Sequence, residues 1–140
     1  MSRLVLDCSI SAAWFFEDED SPLAEHVLSS LAMDEAVVPS VWPVEMANVL
    51  AIAERTERVT TAKTEEFLAR LADLPIALDY RGADRAFTSV LGLARLYGLT
   101  AYDAAYLELA LREGLPLATD DRPLCNAAAK AGVTLVSPSS

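Results

Sequence analysis

Short runs of consecutive apolar residues alternate along this chain with longer stretches in which apolar residues recur every three or four positions. The short runs are Leu4-Val5-Leu6, Ala36-Val37-Val38, Pro75-Ile76-Ala77-Leu78, residues 115–119 and Val133-Thr134-Leu135-Val136. Runs of this length, bounded by polar or turn residues, predict buried strands. Between them the 3.6-residue period predicts helices. One covers 9–16, and a second opens at Ser21-Pro22 with Leu23, Val27, Leu28 and Leu31 on one face. A third starts in the turn of Pro43 and runs to Arg55, and a fourth begins at Thr60 with Phe67, Leu68 and Leu71 aligned. Three more cover 83–97, 101–112 and 122–131, stopped by Gly98, Gly114 and Gly132. Proline in a first turn and glycine just past a last turn are the usual helix punctuation. Glu17-Asp18-Glu19-Asp20 reads as a charged loop, and Ser137-Pro138-Ser139-Ser140 as a frayed tail.

Strands alternating with amphipathic helices predict an α/β fold, with a short central parallel sheet between helical layers (α/β/α). Without repeats, linkers or low-complexity stretches, residues 1–140 read as a single domain, and the length fits one. The composition is 53% hydrophobic, which implies a sheet covered on both faces or an apolar patch used for association. No apolar run approaches the ~20 residues of a membrane span, and Asp7 interrupts the N-terminal run too early for a signal peptide. A cytoplasmic protein with no membrane association is the expectation.

Cys8 and Cys125 are the only cysteines and His26 the only histidine, in no zinc-binding spacing. Both thiols read as semi-buried and His26 as a surface residue. No nucleophile elbow is present, so a serine or cysteine triad has no support. The net charge of −10 excludes a generally basic, nucleic-acid-coating surface. It leaves two readings, a well-solvated acidic protein or one whose acids serve cations, either metal ions or a basic partner.

Four acids stand at comparable places. Asp7 closes the first strand, and Glu45 falls in the first turn of the helix after the second. Asp103 falls in the first turn of the helix leading into the fourth strand, and Asp121 follows that strand. In a parallel α/β sheet these positions share the carboxyl edge, where such folds place ligand sites. Each acid also has a local reading: Asp7 and Asp120 or Asp121 as helix caps, Asp103 in a capping box with Thr100, and Glu45 as a dipole partner. Glu45, however, shares a stripe with Asn48, Val49 and Ile52, and Asp103 with Tyr106, Leu107 and Ala110. Carboxylates on partly apolar faces, close to one another, are raised in pKa unless a cation compensates. With no Cys or His in the set, a hard ion such as Mg²⁺, or Mn²⁺, is the matching metal.

The same residues lie in an ordered series of motifs. Leu4-Val5-Leu6-Asp7-Cys8-Ser9 resembles the opening Asp-x-Ser strand of PIN domains, and Glu45-Met46-Ala47-Asn48-Val49-Leu50 resembles their Glu-x-x-Asn-x-Leu helix. Residues 98–107, Gly-Leu-Thr-Ala-Tyr-Asp-Ala-Ala-Tyr-Leu, are similar to their most characteristic segment. Thr119-Asp120-Asp121 resembles their Thr-x-Asp motif. The length is most similar to that of the VapC toxins of bacterial toxin–antitoxin pairs. The resemblance implies a three-layer PIN-like fold and metal-dependent hydrolysis of RNA to a 5′-phosphate and a 3′-hydroxyl. It implies Asp7, Glu45, Asp103 and Asp121 as the catalytic acids, with Asp7, Asp103 and Asp121 as metal ligands. Glu45 is left as a ligand or as a base. Ser9, Thr119 and Asn48 become supporting residues, and Asp120 an auxiliary acid. A homodimer and a VapB-like antitoxin are the implied partners. Arg81, Arg85, Arg95 and Arg122 are weak candidates for phosphate contact, and ordinary solvated arginines explain each of them better.

Two rivals remain. A receiver or aspartyl-phosphate phosphatase would show paired acids or Asp-x-Asp after the first strand, where this chain has Asp7-Cys8-Ser9. A catalytically silent PIN-like interaction module would not need all four acids.

Overall fold

The structure, a computed structural model, describes residues 2–138. Four parallel strands form one sheet in the order β3-β2-β1-β4: β1 (Arg3–Leu6), β2 (Glu35–Val38), β3 (Ile76–Leu78) and β4 (Leu117–Ala118). Val5 stands opposite Val37 on one side and Leu117 on the other, so β1 is central. Consecutive residues of β1 and β2 are buried, as they must be when helices cover both faces of a sheet. The expected three-layer α/β/α architecture is the one observed.

The helices are α1 (Cys8–Phe15), α2 (Pro22–Ser30), α3 (Val41–Arg55), α4 (Thr61–Ala72), α5 (Leu91–Tyr97), α6 (Ala101–Glu113) and α7 (Arg122–Ala131). Local chemistry explains most of their ends. Ser21 and Thr60 accept hydrogen bonds from the N–H groups of Ala24 and Lys63, capping α2 and α4. Gly98 and Gly114 take φ of +65° and +64°, a left-handed turn that releases the chain from α5 and α6. Among the described residues no helix is long and apolar enough to cross a membrane. The last two residues of the expected frayed tail lie outside those described.

Four expectations change. The helix expected over 83–97 begins as a 3₁₀ turn (Gly82–Arg85) and a π turn (Ala86–Val90) before settling into α5. Its start is set by Asp79, whose carboxylate accepts from the N–H of Gly82 at 2.9 Å while held by Arg112. The fourth strand shrinks to two residues, because the Leu115 N–H closes the end of α6 on Ala110 and Pro116 has no N–H to give. The run 133–136 is therefore a single bridge, Leu117 to Leu135, rather than a strand; Val133 spends its N–H on Ala128 at the end of α7. Finally, α3 starts at Val41, because proline is tolerated throughout a first turn whose N–H groups need no helical partner. Glu45 consequently lies in the second turn, not the first. The buried stripe of α3 is Trp42, Met46, Leu50 and Ala53, which leaves Glu45 at its margin and Ile52 41% exposed.

One ion cluster lies almost wholly out of solvent. Arg112 Nη2 donates to Asp79 Oδ2 at 2.7 Å and its Nε to Glu108 Oε2 at 2.9 Å, with side-chain exposures of 9%, 8% and 5%. It ties α6 to the segment after β3. Removing one member of a buried ion cluster leaves uncompensated charge, at a cost of about 3–5 kcal/mol. Arg112→Met is therefore expected to lower the urea midpoint sharply, with Arg112→Lys intermediate because the bidentate fork is lost. Equilibrium unfolding followed by circular dichroism measures both.

Candidate functional site

Asp7 follows β1 and caps α1, and only 4% of the residue is exposed. Its Oδ2 accepts from the Ser9 hydroxyl at 2.6 Å, the Ser9 N–H at 3.3 Å and the Thr119 hydroxyl at 2.8 Å. Oδ1 has no protein donor. No buried side-chain polar atom among the described residues lacks a partner, so Oδ1 must reach the surface. Asp121, after β4, repeats the arrangement: Oδ2 caps α7 by accepting from the Leu124 N–H at 3.0 Å, and Oδ1 is free. Glu45 Oε1 accepts from the Tyr106 hydroxyl at 2.6 Å, and Oε2 has no protein donor. Asp103 lies in the first turn of α6, its N–H given to the capping Thr100. Three of the four acids thus use one oxygen to hold the fold and keep the other available.

The hydroxyls make the rim one connected unit. Thr119 Oγ1 donates to Asp7 and accepts from the N–H of Asp121 at 3.0 Å, while Ser9 Oγ donates to Asp7 and accepts from the N–H of Asp120 at 3.0 Å. The turn after β1 and the turn after β4 are locked together through these two side chains. Ser9 and Thr119, expected as supporting residues, both contact Asp7 directly. Asp120 points elsewhere, accepting from the Ser21 hydroxyl at 2.7 Å at the start of α2. Asn48 is exposed on α3 and its side chain makes no hydrogen bond among the described residues. His26, on α2, is partly exposed. Cys8 is buried and Cys125 partly so, as expected of structural thiols. Burial, with Glu45 and Asp7 adding to it, pushes the Cys8 thiol up to about 12, so it is inert near neutrality.

The electrostatics tie the four acids together. Burial raises the Asp7 carboxyl, opposed by the Ser9 and Thr119 hydrogen bonds and reinforced by Asp121. Burial also raises Glu45, against the pull of the Tyr106 hydrogen bond and with Asp7 and Asp103 adding to it. Asp103 is pushed up to about 6, first by burial, then by Asp121 and Asp7. No Lys or Arg is among the groups acting on these three carboxyls. Among the described residues the charge has no counter-ion. Among the described residues no three acidic, Cys or His side chains already close on a point as an ion cage. An all-oxygen donor set with free oxygens on Asp7, Glu45 and Asp121 nevertheless suits a hard divalent cation, which takes carboxylate ligands and supplies the missing charge.

Tyr106 is the neighbour that periodicity alone missed. It reads as core, and it is fully buried, but its hydroxyl reaches a catalytic candidate. The available signal was chemical: a buried tyrosine hydroxyl needs a partner, and Tyr106 lies one turn beyond Asp103.

The raised Asp103 carboxyl has a consequence for stability. The folded state keeps this proton up to about pH 6, whereas an unperturbed aspartate loses it near 3.8. The penalty for the ionised form is therefore full above the folded pKa and disappears below the unfolded one. Asp103→Asn in EDTA-treated protein is expected to raise the melting temperature at about pH 7.5 by roughly 2–5 °C, a modest gain because the group is half exposed. The gain should shrink to nothing near about pH 4, and thermal scans across that range measure it.

The family model of the PIN domain matches residues 4–130. Ribonuclease VapC3 of Pyrobaculum aerophilum is 31% identical over 122 residues, covering 87% of this chain and 92% of the relative. The crystal structure of PAE2754, also from Pyrobaculum aerophilum, superposes with a TM-score of 0.67 at 23% identity, over 90% of this chain and 84% of that one. The crystal structure of FitAcB from Neisseria gonorrhoeae gives 0.65 at 18% identity, over 99% and 98%. These two likenesses concern the fold. With the matched motifs in order along almost the whole sequence, this chain belongs to the PIN-domain family.

Proposed function

We propose that this chain is a single-domain, Mg²⁺-dependent endoribonuclease (Mn²⁺ serving as a substitute), the toxin of a VapBC-type toxin–antitoxin pair. One observation carries the reading: at the sheet's carboxyl edge Asp7, Glu45 and Asp103 are raised by burial and by neighbouring acids, Asp121 among them, with no Lys or Arg among the described residues acting on them. The relation to a protein named as a ribonuclease supplies the substrate class.

Asp7, Asp103 and Asp121 are the residues that hold the cation. When bound there, a divalent ion lowers the pKa of a water and stabilises charge on the phosphoryl and leaving oxygens of an RNA phosphodiester. Ser9 and Thr119 fix the Asp7 carboxylate so that its free oxygen keeps one direction. Glu45 either adds a ligand or takes the proton of the attacking water; with His26 on α2, away from these acids in the hydrogen-bond network, carboxylate chemistry carries the proton transfer. The products are a 5′-phosphate and a 3′-hydroxyl.

The partners follow from charge and exposed apolar surface. A net charge of −10 favours a basic antitoxin segment, and Met33, Val44, Phe87 and Leu96 are 70% exposed or more in the isolated chain. A cytoplasmic homodimer bound by a VapB-like antitoxin satisfies both. Light scattering of the purified protein is expected to give twice the 15.1 kDa of one chain; a mass of one chain removes the dimer from the proposal.

Cleavage of RNA by the purified protein in Mg²⁺ is expected to stop with EDTA and to fall by at least about 100-fold in Asp7→Asn. Asparagine caps helices as well as aspartate, so this variant keeps the α1 cap and isolates the chemistry. Cleavage that persists under either condition contradicts the metal-nuclease reading. No cleavage of any RNA by the wild-type protein points instead to a silent interaction module.

A further inference from the structure

Tyr106 has a fully buried ring on α6, yet its hydroxyl crosses to α3 and donates to Glu45 Oε1 at 2.6 Å. Among the described residues this is the only side-chain hydrogen bond between the two helices, and the only one that either group makes. The neighbouring floor is already satisfied without it. Trp42 Nε1 donates to Ser11 Oγ at 3.0 Å, Ser11 contacts Met46 Sδ at 3.2 Å, and Cys8 contacts the same sulfur at 3.5 Å. No other donor therefore competes for Glu45, and no other acceptor for Tyr106.

A glutamate has three side-chain torsions, and one at the margin of a helix face, as Glu45 is, would ordinarily sample several rotamers. A rigid donor buried in the core removes that freedom. Asp7 is held in the same manner by Ser9 and Thr119, so two of the site's carboxylates are each pinned through one oxygen by side-chain hydroxyls.

We infer that Tyr106 is a positioning residue for Glu45: its sealed hydroxyl fixes Oε1 and leaves Oε2 as the single oxygen presented to a divalent cation or to the attacking water. The inference rests on the metal-nuclease reading and deepens it, because it gives Glu45 a defined orientation. Partners of this kind, which orient a ligand or a base without touching the metal, are worth roughly 10–100-fold in affinity or activity.

Tyr106→Phe keeps the ring that fills the core and deletes only the hydroxyl, so the fold survives, and a melting curve verifies it. Binding of Mn²⁺ alone, by calorimetry, and RNA cleavage kinetics are then measured for wild type, Tyr106→Phe, Glu45→Gln and the double variant. The expected result is a loss of about 10–100-fold in Mn²⁺ affinity or in kcat, with KM for RNA unchanged. A loss in Mn²⁺ affinity makes Glu45 a ligand, and a loss in kcat alone makes it the base; both support the inference. The double variant should be no worse than Glu45→Gln, since Tyr106 acts only through Glu45. Wild-type Mn²⁺ affinity and kcat in Tyr106→Phe, or losses that multiply in the double variant, overturn this inference and leave the nuclease reading intact. A wild-type protein that neither binds Mn²⁺ nor cleaves RNA overturns both.

Discussion

The rim of this molecule is organised around one oxygen atom, Oδ2 of Asp7. It accepts from the Ser9 hydroxyl and the Thr119 hydroxyl, and so joins the turn after β1 to the turn after β4. Those hydroxyls in turn accept the N–H groups of Asp120 and Asp121, which sets the start of α7 against the start of α1. Two adjacent parallel strands bring the turns close, and the hydrogen bonds then hold them together. A carboxylate that satisfies three donors with one oxygen can be almost wholly buried and still present its second oxygen to the surface.

This division of labour removes an apparent conflict. Aspartate at a helix N-terminus usually means a cap, and Asp7 and Asp121 are caps by every geometric criterion. Capping consumes one oxygen of two. The same side chains can therefore terminate helices and face a common space, and their mutual repulsion is the cost of doing both. Among the described residues no lysine or arginine acts on Asp7, Glu45 or Asp103, so the protein's own cations do not offset that cost. The protein's own positive charge is used elsewhere: Arg112 is committed to Asp79 and Glu108, and Arg58 to Asp18 with its guanidinium over Phe16.

Much of this was legible in the residues themselves. Consecutive apolar residues at 4–6 and 36–38 could only be strands buried on both faces, and the caps Ser21 and Thr60 with the stops Gly98 and Gly114 bounded the helices to within a residue or two. The positions of Asp7, Asp103 and Asp121 at element ends followed from the same local rules. Glu45 was placed in the right helix but one turn off, because a proline marks a first turn without saying which of its residues comes first.

What the chain alone determined, then, is what depends on neighbours three or four residues away: period, caps, stops and the alternation that makes a parallel α/β sheet. Tertiary structure decided the rest, because those outcomes depend on partners far off in the chain. The run 133–136 forms only a bridge since β4 offers it two residues. The 3₁₀ start before α5 is bonded to Asp79, which is itself held by Arg112, 33 residues away. Which oxygen of each acid is engaged, and that Tyr106 reaches Glu45 across 61 residues, depend on contacts between distant parts of the chain and on no local pattern.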